Sequence, residues 1–184
     1  MTRPNLLTDY PPIVESLPRV GEEAILKTLG YLSLHEMDYF VIGGANLVLR
    51  GMKEVTEDLD MLVSEDAFDW LAMRRGAEIH EPPFPARMRG ANNTTVWVKN
   101  RRTPIPVSAT TALGDGYYPL SFETHKDETE LIEGVPCLKL KHVRASKEAL
   151  QRVKDVEDLA RIAHHLGEPL DLPPPTMKAP FFTS

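Results

Sequence analysis

The chain has 184 residues, 42% hydrophobic and 26% charged, which is enough for one compact domain with a sizeable core and excludes a disordered or fibrous protein. Its formal net charge of -6 argues against nonspecific coating of nucleic acid, while leaving room for a local basic face. It has no apolar run long enough to span a bilayer and no signal-peptide pattern, and its single cysteine, Cys137, cannot form an internal disulfide; a cytoplasmic location is the expectation.

Residues 1–18 contain Pro4, Pro11, Pro12 and Pro18 and predict an extended arm. From 21 to 35, Ile25, Leu29 and Leu32 share one helical face, with Glu22 and Glu23 favourably near the N-terminus. The stretch 39–63 is the densest in chemistry. An apolar run at 39–42 predicts a strand that stops at Gly43 and Gly44, passes into a short helical pattern at 45–49 and ends at Gly51. A second apolar run carries Asp58 and Asp60. Residues two apart in a strand project from the same face, so the two carboxylates point together while Leu59 and Met61 turn toward a core. Two close carboxylates repel one another and stay ionised most readily around a divalent cation, so the pair asks for magnesium.

Further on, Ser64 predicts a helix N-cap, followed by Phe68, Trp70, Leu71 and Met73 as apolar positions and a stop near Gly76. A short strand at 77–80 leads into a stiff loop with Pro82, Pro83 and Pro85 before Arg87, Met88 and Arg89. Strand character at 94–98, a turn at 100–103 and a second strand at 105–110 follow; Pro104 and Pro106 predict that the second is an edge strand. Gly114, Asp115 and Gly116 predict a turn before Tyr117, Tyr118 and Pro119, and Glu133 with Gly134 predicts a hairpin joining 129–132 to 135–138. Beyond Lys141, the positions Val143, Leu150, Val153, Val156, Leu159, Ile162 and Ala163 predict two helices, interrupted at 151–154 and ending at Gly167. The tail holds Pro169, Pro173, Pro174, Pro175 and Pro180. Trp70 and Trp97 are assigned to the core, and His142, His164 and His165, which lack zinc spacing, to solvent-facing helix positions. The expected organisation is an arm at 1–18, one α/β (α+β) domain at 19–167 with a mixed sheet flanked by helices and C-terminal helices from about 140, and a proline-rich tail at 168–184.

Two separated segments resemble the nucleotidyltransferase superfamily, in the branch of minimal nucleotidyltransferases and AbiEii-type toxins of toxin–antitoxin systems. The first is Gly43-Gly44 followed by Thr56-Glu57-Asp58-Leu59-Asp60, similar to that family's glycine pair and Asp-x-Asp arrangement. The second is Lys147 with Arg152, Lys154, Asp155 and Asp158, similar to its C-terminal signature. The resemblance implies transfer of a nucleoside monophosphate from a nucleoside triphosphate to a hydroxyl of RNA, such as tRNA, or of a protein. It implies one or two Mg2+ on Asp58 and Asp60. Gly43, Gly44 and Thr56 would lie at the triphosphate, Lys147, Arg152 and Lys154 would neutralise it, and Asp155 and Asp158 would orient those cations. An antitoxin-like protein partner goes with the toxin branch.

The chain also departs from that pattern. A third carboxylate common on a later strand is absent from 105–109, where Ser108 stands, and an arginine often found before the threonine is replaced by Glu54, with Lys53 beside it. Asp115 is a candidate replacement for the carboxylate. A catalytically degenerate protein that binds nucleotide, RNA or a protein partner is the second reading. Plainer readings also stand: Asp58 and Asp60 as a solvated strand end, the glycines as a tight turn, and the C-terminal charges as surface ion pairs.

Overall fold

The computed structural model describes residues 21–80, 94–113 and 118–169. The arm at 1–18, the proline loop with Arg87 to Arg89, the turn with Asp115 and nearly all of the proline-rich tail lie outside the described residues.

In chain order the elements are α1 (Glu22–Leu32), β1 (Tyr39–Val41), α2 (Gly43–Leu49), β2 (Leu59–Val63), α3 (Glu65–Ala72), β3 (Ala77–His80), β4 (Thr95–Val98), β5 (Val107–Thr110), α4 (Phe122–His125), β6 (Thr129–Ile132), β7 (Val135–Leu138), α5 (Leu140–Leu150) and α6 (Val153–Leu166). The strands form one mixed sheet in the order β3-β4-β5-β2-β1-β7-β6. β1 pairs antiparallel with β2 and parallel with β7, and β2 pairs parallel with β5. The expected α/β architecture, a mixed sheet flanked by helices, is the one that forms.

Alternation along the central strands divides the core. Val41, Leu59, Met61 and Val63 pack on one face with Ile25, Leu29 and Leu32 of α1 and Ala67 and Leu71 of α3. Phe40, Ile42 and Leu62 pack on the other with Phe122, Val143 and Ile162. Both faces of the central sheet are therefore covered, which is why its strands read as near-continuous apolar runs. Asp60 interrupts the second face, between α2 and the C-terminal helices.

The predicted turns form for the predicted reasons. Glu133 and Gly134 both take positive φ, 50° and 77°, as a two-residue hairpin of the right twist requires. Ser64 accepts a hydrogen bond from the Ala67 N–H at the start of α3. Gln151, at φ 50°, ends α5, and the Arg152 N–H donates to Asp155 Oδ2 at 3.1 Å at the start of α6.

Three expectations need correction. β5 is an interior strand, between β4 and β2, rather than an edge. Its prolines precede Val107, so no ladder donor is missing, and the Pro106 carbonyl accepts from the Leu59 N–H at 2.9 Å. Trp70 is not core. It is 45% exposed, beneath the Arg74 guanidinium at 4.4 Å, because its position on α3 lies beside the buried stripe of Ala67 and Leu71. His142 does not face solvent: its ring lies between the Tyr118 hydroxyl and the Glu128 carboxylate, 3.1 Å from each. His164 and His165 are exposed, as expected.

Candidate functional site

Where β1 gives way to α2 the chain turns onto the start of β2. The Ile42 N–H donates to the Asp60 carbonyl at 3.0 Å, and Gly43 takes φ 63°. A Cβ on Gly43 would lie 2.9 Å from Asp60 Oδ2, and one on Gly44 would lie 2.7 Å from Thr56 Oγ1. The glycine pair is thus required by close approach: the Asp60 carboxylate and the Thr56 hydroxyl occupy the space a side chain would take. Thr56 is buried and donates to the Asp58 carbonyl at 3.2 Å, which sets the backbone on which Asp58 is presented. Buried Asn46 holds α2 in place by donating to the carbonyls of Val41 and Leu138, each at 2.9 Å.

Asp58 immediately precedes β2 and Asp60 is the second residue of that strand; both are half-buried and line a pocket of about 900 Å³. Burial, and then the charge of Asp58, pushes the Asp60 carboxyl up to about 7. Burial also raises Asp58, against the pull of the Lys154, Arg152 and Lys53 cations. Two desolvated carboxylates offering only oxygen form a donor set suited to a hard divalent cation, whose charge would reverse both shifts. Among the described residues no group of three His, Cys, Asp or Glu side chains converges on a metal position. Ser108 stands beside Asp60 in the β2–β5 register.

The opposite wall carries cations. Lys147 of α5 is 6% exposed, and its Nζ donates to Asp158 Oδ2 at 2.7 Å and lies 3.5 Å from Asp155 Oδ1. Asp158 also takes Lys53 Nζ at 3.2 Å and the Arg161 guanidinium at 2.9 Å. Burial would raise the Asp158 carboxyl, but Lys147 and then Lys53 hold it below the usual carboxylate range. Asp155, fully buried, accepts from Arg152 Nε at 2.6 Å, from Arg152 Nη2 at 3.1 Å and from the Arg152 N–H at 3.1 Å. Lys154 is exposed at the pocket wall, and no ion pair holds it among the described residues.

Asp58, Asp60, Gly43, Gly44, Thr56, Lys147, Arg152 and Lys154 all line this one pocket, together with Asp158. Asp155 does not; it sits behind the wall and positions Arg152 and Lys147. Buried Lys147, Asp155 and Asp158 form an interior cluster rather than surface ion pairs. Sequence reasoning left Arg161 out and treated Lys53 only as the neighbour of Glu54. Arg161 was legible as the residue three beyond Asp158 on a helix, whereas the meeting of Lys53 with Asp158, 105 residues away, carries no local signal.

No family model matches the chain and no curated protein matches it. Two solved structures from Helicobacter pylori align with it at 18% identity: JHP933, with a TM-score of 0.43, and a protein described provisionally as a nucleotidyltransferase, with a TM-score of 0.45. Each alignment covers 78% of this chain but only 63% and 65% of the two structures, so this chain spans less than two thirds of either. No helix among the described residues is long and apolar enough to cross a membrane.

Proposed function

We propose that this protein is a magnesium-dependent nucleotidyltransferase that moves a nucleoside monophosphate from a nucleoside triphosphate to a hydroxyl of RNA, tRNA included, or of a protein. One observation carries the reading: Asp58 and Asp60 line one pocket together with the cations Lys53, Lys147, Arg152, Lys154 and Arg161. An acidic pair opposite a cluster of cations suits a metal-bound polyphosphate, since each component of the ligand meets its counter-charge.

Asp58 and Asp60 would hold Mg2+, which when bound neutralises phosphate oxygens and orients the reacting phosphoryl group. The chain's own residues do the rest. Lys147, fixed by Asp158 and Asp155, presents a desolvated ammonium whose direction is set before substrate arrives. Arg152, fixed by Asp155, offers a planar donor pair, and Lys154 an exposed charge in the pocket lining. Gly43 and Gly44 let the carboxylate and the Thr56 hydroxyl sit against the backbone. Stabilisation of charge on the departing pyrophosphate is the main catalytic contribution of such a wall. A toxin role, neutralised by an antitoxin-like protein, is consistent with this chemistry and requires growth arrest on expression that substitution of both aspartates relieves.

The test is transfer of label from each α-labelled nucleoside triphosphate, with Mg2+, to total cellular RNA or protein. Transfer by wild type and none by Asp58→Ala plus Asp60→Ala is the expected result; equal signals from the two proteins sink the proposal. Ser108 beside Asp60, with no third carboxylate converging among the described residues, favours one other reading: a protein that binds nucleotide, RNA or a partner without turnover. Magnesium-dependent nucleotide binding with no pyrophosphate release would select that reading.

A further inference from the structure

The cations of the pocket wall do not come from the same side of the molecule. Lys147 belongs to α5, and Arg152, Lys154 and Arg161 lie at or on α6, whereas Lys53 follows α2, on the side of the glycine pair and the aspartates. Its ammonium reaches across the pocket. Lys53 Nζ lies 3.7 Å from the Cβ position of Gly44, and 3.2 and 3.4 Å from the two carboxylate oxygens of Asp158.

Asp158 is also the least able to keep this partner. Its single charge already meets Lys147 at 2.7 Å and Arg161 at 2.9 Å, so Lys53 makes the longest of three contacts to one carboxylate. The Lys53 side chain is 21% exposed, against 8% for Lys147, and so gives up less packing than Lys147 when it moves. A flexible ammonium held loosely over a pocket by an over-subscribed carboxylate is suited to exchange that carboxylate for a phosphate oxygen.

We propose that Lys53 is a polyphosphate ligand of this site, held on Asp158 in the free protein and transferred to the phosphate chain when a nucleoside triphosphate enters. The inference rests on the nucleotidyltransferase reading and names the residue that lets the site count phosphates.

Calorimetric titration of wild type, Lys53→Gln and Lys53→Arg with each of the four nucleoside triphosphates and the matching monophosphates, in Mg2+, tests it. Lys53→Gln should lose about tenfold or more in triphosphate affinity, keep its monophosphate affinity, and be rescued in large part by Lys53→Arg. Reductive methylation of wild type, read by peptide mass, is an arm that needs no variant: triphosphate should protect the Lys53 ammonium and monophosphate should not. Equal losses for both ligands, or no protection by triphosphate, overturn the proposal. If wild type binds triphosphate through Asp58 and Asp60 while Lys53→Gln is unaffected, only the role of Lys53 falls. If wild type binds no triphosphate, the reading of the whole site falls with it.

Discussion

Asp60 of β2 and Ser108 of β5 are direct neighbours in parallel register, and Trp97 of β4 stands opposite the same serine. Cross-strand neighbours share a face of the sheet, so Ser108 is the nearest strand position from which a third acidic group could join Asp58 and Asp60. Ser108→Asp should therefore tighten binding of Mn2+ or Mg2+, by about tenfold, since a further hard oxygen ligand adds both charge and coordination. Without metal the same variant should melt below wild type, because like charges directly opposite repel. Metal affinity that does not change in calorimetric titration would show that position 108 does not reach the ion.

The acidic pair also sets a dependence on pH. The Asp60 carboxyl, raised by burial and then by Asp58 to about 7 from an ordinary value of 3.8, binds a proton in the folded protein that the unfolded chain has already released. The native state therefore holds more protons between those values. The associated stability is complete at low pH and is lost as pH rises from about 4 to 7. Asp60→Asn removes that loss. In metal-free buffer at pH 8 it should be more stable than wild type by up to about 4 kcal/mol, and near pH 4 the two should coincide. Saturating Mg2+ should raise the melting temperature of wild type and leave Asp60→Asn largely unmoved. Denaturant melts at the two pH values, each with and without the cation, decide it; parallel behaviour of the two proteins would mean that Asp60 is not destabilised by its surroundings.

How far the sequence disclosed this arrangement depends on distance along the chain. The i, i+2 spacing of Asp58 and Asp60, the glycines before them and the hairpin at Glu133 and Gly134 are local patterns, and each is realised as its period or turn chemistry requires. The convergence of Lys53 and Lys147 on Asp158 is not local: the segment after α2 and helix α5 meet α6 there, whereas Arg161 is the i+3 neighbour of Asp158 on α6 itself. The interior position of β5 was hidden by Pro104 and Pro106, which argue for an edge only if they lie within the ladder. His142 looked like a solvent residue because Glu128 and Tyr118, its partners, come from outside its helix.

The contact between Gly44 and Thr56 gives a double-mutant test. A methyl group on Gly44 would meet Thr56 Oγ1 at 2.7 Å, and no positive φ adds backbone strain there. Gly44→Ala should then cost about 1–3 kcal/mol through overpacking, and Thr56→Ala about 1 kcal/mol through its lost hydrogen bond to Asp58. The double variant should be more stable than the sum predicts, because the hydroxyl that clashes is gone. Gly43→Ala should not be rescued by Asp60→Ala to the same degree, since Gly43 also takes φ 63°. Strict additivity of Gly44→Ala and Thr56→Ala in denaturant melts would mean that the two residues do not touch.

Asp158 separates an organising role from a decorative one. It is 1% exposed and receives Lys53, Lys147 and Arg161, so Asp158→Asn leaves three cations facing one another around a neutral amide. Breaking a buried pair by removing one partner costs about 3–5 kcal/mol, most of it the penalty on the charge left behind. The exposed pair between Arg144 and Glu148, at 2.9 Å on α5, provides the contrast, because Glu148→Gln should cost no more than about 0.5 kcal/mol. Raised ionic strength or added inorganic pyrophosphate should return part of the stability of Asp158→Asn, as anions compensate the stranded cations, and should do nothing for Glu148→Gln. If Asp158→Asn melted with wild type, or gained nothing from pyrophosphate, the cations would not be held by that carboxylate, and the wall opposite Asp58 and Asp60 would have to be organised by Asp155 alone.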